Sequence, residues 1–281
     1  MATVIGFGGN QSGTSRAIPS SQIEKGIEQK LKAGGVEAID NLGADRAAHA
    51  AASLAGPPAI GQWRIDRLAR IAIDGQAHDV LREIDDLARA GMSAPTLFVD
   101  LLAPVARRLG DLWEDDRLDF IEVTMGLWRL QEVLREIAGH APRAPAPHMP
   151  RTGLFTLLPE DVHSFGVAMV HECFVLAGWQ AELLVAATRG EILSAVAASH
   201  LDLFGLTVAN DSHIGPAQSL IRAVRSVSMN PNVRIMVGGP VLTRNPGLLA
   251  QIGADAMADD AIAAVKVGER LVDAVRLAAP A

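Results

Sequence analysis

The stretch TGLFTLLPEDVHSFGVAMVHE, residues 152–172, contains an apolar run, a short polar loop and a second apolar run. The first run has the length of a buried strand, and the second is typical of a helix. Between them, Asp161, His163 and Gly166 stand at the spacing D-x-H-x-x-G. An acid, a histidine and a glycine therefore lie together where a strand ends and a helix begins.

The same alternation continues to the C-terminus. Further short apolar runs are AELLVAA, LDLFGLTV, VRIMVGG and ADAMA, and the helix-like segments between the runs lie near 165–177, 190–199, 215–228 and 246–252. This order predicts a Rossmann-like α/β domain over residues 151–281, with five parallel strands covered by helices. Such sheets bind ligands at the carboxyl ends of their strands, so the D-x-H-x-x-G loop is the candidate site.

The preceding part of the chain has helical spacing instead. Residues 61–140 contain the segments WRIDRLARIAI, AHDVLREIDDLARAG, TLFVDLLAPVARRLGDLW and DFIEVTMGLWRLQEVLREIAG. Each places apolar residues on one helical face, which predicts a four-helix bundle, and Pro104 predicts a kink in the third helix. The proline-rich segment APRAPAPHMP, residues 141–150, predicts a stiff linker. Residues 1–60 are rich in Gly, Ala and Ser without a period, which predicts a mostly disordered tail.

Composition excludes several functional classes. No apolar stretch is long enough to span a membrane, and the N-terminus lacks the features of a secretory signal. The single cysteine, Cys173, excludes an internal disulfide and suits a reducing cytoplasm. The net charge is -7, and the arginines are scattered among acidic residues. We therefore expect a cytoplasmic protein that has no membrane partner and does not chiefly contact DNA.

The loop itself has the chemistry of a metal-binding histidine. A histidine that coordinates a metal through one ring nitrogen usually needs an acceptor for its other N–H group. Asp161 lies two residues before His163 and is well placed to be that acceptor. Gly166 permits a bulky group to approach the backbone at the start of the helix.

The motif Asp161-Val-His163-Ser164-Phe-Gly166 resembles the D-x-H-x-x-G motif of cobalamin-binding domains, such as those of methionine synthase, methylmalonyl-CoA mutase and the B12-dependent light sensors. The resemblance implies the base-off, His-on mode of binding. In that mode the dimethylbenzimidazole tail leaves cobalt and enters a pocket beside the sheet. His163 then replaces it as the lower cobalt ligand.

Two further motifs of this family occur in the expected order. The S-x-L motif corresponds to Thr207-Val208-Ala209, and the glycine pair after the fourth strand corresponds to Gly238-Gly239. The resemblance implies that Thr207 bonds to the tail and that the two glycines leave room for it. Here Thr replaces Ser and Ala replaces Leu, so the hydroxyl is kept while the shape of the tail pocket changes.

Other interpretations of these residues fit less well. A zinc site formed by His163, His171 and Cys173 would require His171 and Cys173 to face the same side, although they lie two apart in a helix. A phosphate-receiver domain has the same order of elements. It would need an acidic residue at the end of the third strand, where LFGLTV has none.

The bundle resembles the four-helix cap that covers the upper corrin face in the cobalamin family. Trp113 corresponds to a tryptophan that packs near the adenosyl group in the adenosylcobalamin light sensors, although a core position in the bundle is an alternative for it. The Glu-His pair of those sensors is replaced here by Val123-Thr124, with Glu122 one place earlier. We therefore expect cobalamin in its aquo or hydroxo form in preference to adenosylcobalamin.

Taken together, residues 60–281 resemble the AerR/PpaA family of photosynthesis-gene antirepressors, in part through LWEDDRLDFIEVT in the bundle. The resemblance implies a light- or redox-sensing regulator that binds a CrtJ/PpsR-type repressor and is not an enzyme. Two alternatives share the same motifs. One is a corrinoid carrier protein of a methyltransferase system, and the other is a module for cobalamin storage or delivery.

Overall fold

The computed structural model describes residues 60–145 and 147–278. Its first part is helical and contains α1 (Gln62–Asp74), α2 (Ala77–Arg89), α3 (Ala94–Leu97), a π-helical turn (Phe98–Leu102), α4 (Ala103–Glu114) and α5 (Phe120–His140). Its second part alternates strands and helices: β1 (Thr152–Leu157), α6 (Ser164–Leu176), β2 (Gln180–Leu184), α7 (Arg189–Ala198), β3 (Leu203–Thr207), α8 (Ile214–Val227), β4 (Arg234–Gly238), α9 (Pro240–Arg244), α10 (Leu248–Ile252), β5 (Ala256–Ala258) and α11 (Ala261–Ala278).

The helices begin where the sequence supplies caps. Asp119 accepts from the backbone N–H of Glu122, and the Glu122 carboxylate accepts from the backbone N–H of Asp119, so this reciprocal pair fixes the start of α5. Thr188 and Glu191 make the same arrangement at α7. Each pair satisfies N–H groups that a helix start would otherwise leave unpaired.

The irregularity predicted at Pro104 occurs one turn earlier than the proline. The chain runs from α3 through the π-helical turn into α4, and the backbone N–H of Ala103 donates to the carbonyl of Phe98. Pro104 then occupies the first turn of α4. Because proline has no N–H and its ring crowds the carbonyl four residues earlier, a widened turn is a physical means of accommodating it.

The sheet has five parallel strands in the order β2-β1-β3-β4-β5, which confirms the predicted fold class. The chain leaves β1 towards one edge and returns on its other side as β3. The loops after β1 and β3 therefore diverge at a topological switch point, where parallel sheets of this kind open a crevice for ligands.

The bundle and the sheet belong to one compact unit. The apolar core of the bundle continues without a break into α6, whose Phe165, Met169, Cys173 and Leu176 are buried in the same cluster as the bundle leucines. Around the linker, the backbone N–H of Ala144 donates to the carbonyl of Leu176 at 2.7 Å. The bundle is therefore held against α6 by a shared core.

The predictions for the two ends of the chain have different outcomes. The tail predicted over residues 1–60 lies, apart from its last residue, outside the described residues. The C-terminal helix α11 was not among the helix-like segments that the alternation indicated, and it packs on α6 and β5. Among the described helices, none combines the length and the apolar character that a bilayer crossing requires.

Candidate functional site

The three sequence motifs meet at the carboxyl edge of the sheet. In the parallel register, Leu157 of β1 pairs with Thr207 of β3, and Thr207 pairs with Gly238 of β4. Thr207 is half-buried, and the loop with Asp161 begins directly after the β1 end. Residues as far apart in sequence as Leu157 and Gly238 therefore share one edge, because parallel strands all end on the same side.

The loop after β1 buries one carboxylate and exposes one imidazole. The Asp161 side chain is only 1% exposed, whereas that of His163 is 66% exposed. The turn that achieves this includes Glu160 at a positive φ of 70°, a left-handed conformation that costs energy for a residue with a side chain. His163 then stands at the N-terminal cap of α6.

Asp161 fixes the orientation of His163 through two contacts to a single oxygen. The backbone N–H of His163 donates to Asp161 Oδ1 at 3.0 Å, and His163 Nδ1 lies 2.7 Å from the same atom. Because an ionised carboxylate only accepts, Nδ1 carries the proton and Nε2 is free to coordinate a metal. This is the arrangement that orients a metal-binding histidine and raises its basicity.

The first turn of α6 leaves room beside His163. Gly166 is exposed, and within the described residues a Cβ placed on it would meet no atom within 4 Å. A glycine inside a helix costs roughly 0.5–1 kcal/mol relative to alanine, and the packing of the chain gives no reason for it here. Ser164 accepts a hydrogen bond from the side-chain amide of Gln131 in α5 at 3.3 Å, which ties this turn to the bundle.

The two glycines after β4 are not equivalent. Gly239 has φ +120°, and a Cβ placed on it would lie 2.3 Å from the carbonyl oxygen of Val208. At Gly238 the nearest contact would be an ordinary 3.4 Å to the carbonyl oxygen of Ala258. The fold itself therefore requires Gly239, whereas the half-buried Gly238 could carry a methyl group without a clash inside the protein. Ala209 is also half-buried.

A second histidine lies at the same carboxylate and was not predicted from the sequence. His213 ends a short 3-10 turn (Asp211–His213) that follows β3, and its Nδ1 lies 3.5 Å from Asp161 Oδ2. Both atoms are buried, and neither has a hydrogen-bond partner among the described residues. In the sequence, only its position could have indicated His213, which comes six residues after the end of β3.

The residues predicted to cover the corrin differ in their exposure to solvent: Trp113 and Thr124 are exposed, whereas Val123 is buried. The Trp113 side chain is 50% exposed, which excludes the alternative of a core aromatic. Val123, in contrast, is buried in the bundle core and does not share the exposed face of α5. Thr124 is exposed, and its hydroxyl donates to the carbonyl of Phe120 at 2.7 Å.

The exposed face of α5 carries an apolar stripe that the sequence analysis missed. Trp128 is 48% exposed and lies one turn after Thr124 and one turn before Gln131, which contacts Ser164. Ile121 and Met125 are exposed on the neighbouring row of the same helix. The stripe is followed along α5 by Gln131, whose hydrogen bond to Ser164 joins this helix to the turn next to His163.

The thiol of Cys173 is buried in the core that α6 shares with the bundle. Burial, together with the negative charges of Asp260 and Glu172, raises the pKa of its thiol to about 12. The thiol therefore stays protonated at neutral pH and is a poor metal ligand. Within residues 60–145 and 147–278, no group of three or more His, Cys, Asp or Glu side chains is placed to bind a metal ion.

Comparisons with known proteins agree with this geometry. Residues 64–137 and residues 151–266 match two family models, each described as a B12 binding domain. The chain contains B12-binding domains. The matched ranges contain the exposed stripe of α5 in one domain and Asp161, His163, Thr207 and the glycine pair in the other.

Two relatives place these B12-binding domains in context. An uncharacterized 20.5 kDa protein in the bchF-crtJ intergenic region of Rhodobacter capsulatus is 23% identical over 184 residues, which cover 63% of this chain and 92% of that protein. The structure of a monomethylamine corrinoid protein from Methanosarcina barkeri matches with a TM-score of 0.60 and 18% identity, over 75% of this chain and 100% of that chain. At this identity the structural match shows the shared fold alone.

The residues at the carboxyl edge suit a corrinoid. The exposed imidazole of His163, with its oriented Nε2, would hold the cobalt of a corrinoid, and the open space beside Gly166 would leave room for the ring. Two buried polar atoms without partners, Asp161 Oδ2 and His213 Nδ1, lie on the side of the carboxylate away from His163. Such atoms are tolerated where function requires them.

Proposed function

We propose that this protein is a cobalamin-binding transcriptional regulator of the AerR/PpaA kind, which responds to light or redox state and binds a CrtJ/PpsR-type repressor. The observation that carries the cofactor part is the buried Asp161 that orients the exposed His163 at the edge of the sheet. The regulatory part is supported by the similarity to the Rhodobacter capsulatus protein in the bchF-crtJ intergenic region. We propose neither a catalytic role nor a direct contact with DNA.

Each residue at the edge has a defined task in this proposal. His163 Nε2 is the lower cobalt ligand, and Asp161 holds its tautomer and its direction. Thr207 and Ala209 at the end of β3 would border the nucleotide tail, and Gly238, paired with Thr207, would leave space for it. When bound, cobalamin supplies a cobalt centre whose upper ligand changes with light or redox state.

The cap favours hydroxocobalamin over adenosylcobalamin. Val123 is buried in the bundle, and the Thr124 hydroxyl is already bonded to the carbonyl of Phe120, so the Glu-His arrangement that holds an adenosyl group has no substitute here. Trp128 instead presents a large ring on that face. In the dark, we expect hydroxocobalamin to bind at least about tenfold more tightly, a difference of roughly 1.4 kcal/mol.

Calorimetric titration of the apo protein in darkness with the two cobalamins measures this selectivity. Trp128→Ala protein is the matched comparison, because removal of the ring should narrow the difference. Equal or tighter binding of the adenosyl form by the wild-type protein would contradict the selectivity while leaving cobalamin binding intact.

The shared core connects the loop that contains His163 to the bundle. Phe165 and Met169 of α6 lie in the bundle core, and α6 begins at His163. A displacement of His163 would therefore be passed to the packing of α5 against α6. Bound cobalamin would favour one packing over another only by its difference in affinity for the two, on the order of 1–3 kcal/mol.

Cobalamin-loaded protein is accordingly expected to bind a PpsR-like repressor roughly 5- to 150-fold more tightly than apo protein, the range that such a coupling energy gives. Surface plasmon resonance with the repressor immobilised, run in darkness and after illumination, measures the difference. Equal affinities for loaded and apo protein would count against the regulatory proposal.

A corrinoid carrier of a methyltransferase system is the second candidate, favoured by the fold match to the monomethylamine corrinoid protein. The two candidates differ in what changes the cofactor. The visible spectrum of the loaded protein should respond to light at constant redox potential in a regulator. In a carrier it should respond only to a reductant and a methyl donor.

A further inference from the structure

The first turn of α5 exposes large apolar side chains. Phe120 is 72% exposed and Ile121 is 69% exposed, the highest values among the large apolar side chains of residues 60–140. Trp113, near the end of the preceding helix α4, is 50% exposed. Scattered apolar residues are ordinary on a protein surface, whereas several of them where two helices join indicate a place for a partner.

The chain around these side chains is strongly acidic. Residues 111–122 contain one basic residue, Arg117, and six acidic residues, all of which are exposed: Asp111, Glu114, Asp115, Asp116, Asp119 and Glu122. Asp119 and Glu122 cap α5, as described above. The other four acids lie in residues 111–117, which we call the acidic turn.

The fold does not neutralise the acidic turn. Within the part of the chain that the structure describes, none of its charged side chains takes part in an ion pair, and the ion pairs on either side of it along the chain are those of Arg108 and Glu136. The acids of α2 are paired instead, as in the contact of Arg67 with Glu83 at 2.7 Å. Because like charges held close together repel one another, a cationic partner would relieve this repulsion.

The backbone holds the acidic turn in one shape. The backbone N–H of Asp115 donates to the carbonyl of Asp111 at 2.9 Å, and that of Arg117 donates to the carbonyl of Leu112 at 2.9 Å. Asp116 lies between them with a φ of 56°, in the left-handed region that aspartate tolerates better than most residues. Since the charges stand on a preformed turn, binding would cost less ordering entropy than it would for a flexible loop.

We propose that the acidic turn, together with Phe120 and Ile121, is the surface that binds the repressor, and that it binds the basic face with which the repressor contacts DNA. The inference rests on the regulatory function proposed above. A DNA-contacting face carries clustered Lys and Arg side chains that neutralise phosphates, so it is complementary in charge to the acidic turn. The aromatic ring of Phe120 adds an apolar anchor of the kind that contributes most to interface affinity. A repressor bound in this way would be excluded from DNA.

The same helix joins this surface to the loop that contains His163. Phe120 begins α5, and Gln131, about three turns later, donates from its side-chain amide to Ser164 at 3.3 Å. Ser164 directly follows His163 in the chain. The surface therefore lies on the helix through which the proposed coupling to cobalamin would act.

Neutralisation of the acidic turn tests the electrostatic part. The variant Glu114→Gln/Asp115→Asn/Asp116→Asn removes three charges and keeps the size of each side chain. In the plasmon resonance experiment described above, the loaded variant should associate with the immobilised repressor about tenfold more slowly than the wild type, as expected when electrostatic steering is lost. Its association rate should also depend less on salt concentration than that of the wild type.

A matched control removes the same charge elsewhere. Asp74→Asn/Asp100→Asn/Glu182→Gln neutralises three exposed acids outside the acidic turn and should bind the repressor like the wild type. Phe120→Ala tests the apolar part, and it should weaken binding roughly tenfold through faster dissociation. For Phe120→Ala and the acidic-turn variant, the apo thermal midpoint should not fall and the affinity for hydroxocobalamin should stay at the wild-type value. These two readouts separate the surface from the fold and from the cofactor site.

Competition identifies the face of the repressor that is bound. An excess of operator duplex should prevent wild-type protein from binding the repressor, and undiminished binding to DNA-saturated repressor would overturn the assignment of the DNA-contacting face. Equal affinities of the wild type, the acidic-turn variant and Phe120→Ala would overturn the surface itself. Wild-type protein that does not bind the repressor at all would remove the regulatory function and this surface with it, a failure that is distinguishable from the other two.

Discussion

Replacement of His163 by alanine is expected to abolish the His-on spectrum and to weaken cobalamin retention by roughly 100-fold or more. Loss of an outer partner alone costs 10- to 100-fold in typical metal sites, so loss of the ligand should cost at least the upper value. The variant would keep only contacts of the corrin and its tail with the protein. Visible spectra and retention on gel filtration in darkness measure both effects.

The fold should not suffer in this variant. The His163 side chain is 66% exposed, and its Nδ1 bonds to Asp161 in the same loop, so its removal takes little from the core. The matched control is His200→Ala, which removes an exposed histidine at the opposite end of β3. If His163→Ala protein kept the wild-type spectrum and retention, the lower-ligand assignment would be wrong.

The sequence predicted that the three motifs lie together because each motif is local and their strands are parallel. Asp161 and His163 stand two residues apart, so their contact follows from a tight loop. Thr207 and Gly238 join them because the ends of parallel strands meet at one edge, which the alternating pattern alone determines. These relations need no knowledge of side-chain packing.

The residues that were missed depend on contacts that no local pattern encodes. His213 reaches Asp161 only through the path of the 3-10 turn after β3, and a histidine in a polar loop carries no signal of that path. Val123 was assigned to the cap by its distance from Trp113. The rotation of α5 instead turns it into the core and exposes Trp128. The sequence gives the length of a helix, but it does not show which face of the helix turns towards a ligand.

The same limit applies to the fold. Helical periodicity gave the segments of the bundle, but the π-helical turn before Pro104 arises from how the chain accommodates a proline. The shared core of the bundle and α6 also could not be predicted. The sequence of α6 is apolar on nearly all sides, and only the structure shows which side meets the bundle and which meets the sheet.

Gly239→Ala is expected to destabilise the apo protein by about 3 kcal/mol or more. A residue with a side chain at φ +120° and ψ 163° is strained by itself, by roughly 1–3 kcal/mol. The added Cβ would also lie 2.3 Å from the carbonyl oxygen of Val208, whose backbone N–H is fixed by a 2.8 Å hydrogen bond to Gly238. For a chain of this size, the midpoint of thermal unfolding should fall by roughly 6–12 °C.

Gly238→Ala is the matched control, since it adds the same methyl group one residue earlier. Its Cβ would make only an ordinary 3.4 Å contact with the carbonyl oxygen of Ala258, so the apo midpoint should stay within a few degrees of the wild type. The two variants then separate what the fold requires from what a ligand requires. If the nucleotide tail packs beside β4, Gly238→Ala should bind cobalamin more weakly in spite of its intact fold. Equal thermal midpoints for the two variants would show that the backbone at Gly239 relaxes, and that its strain does not explain the glycine.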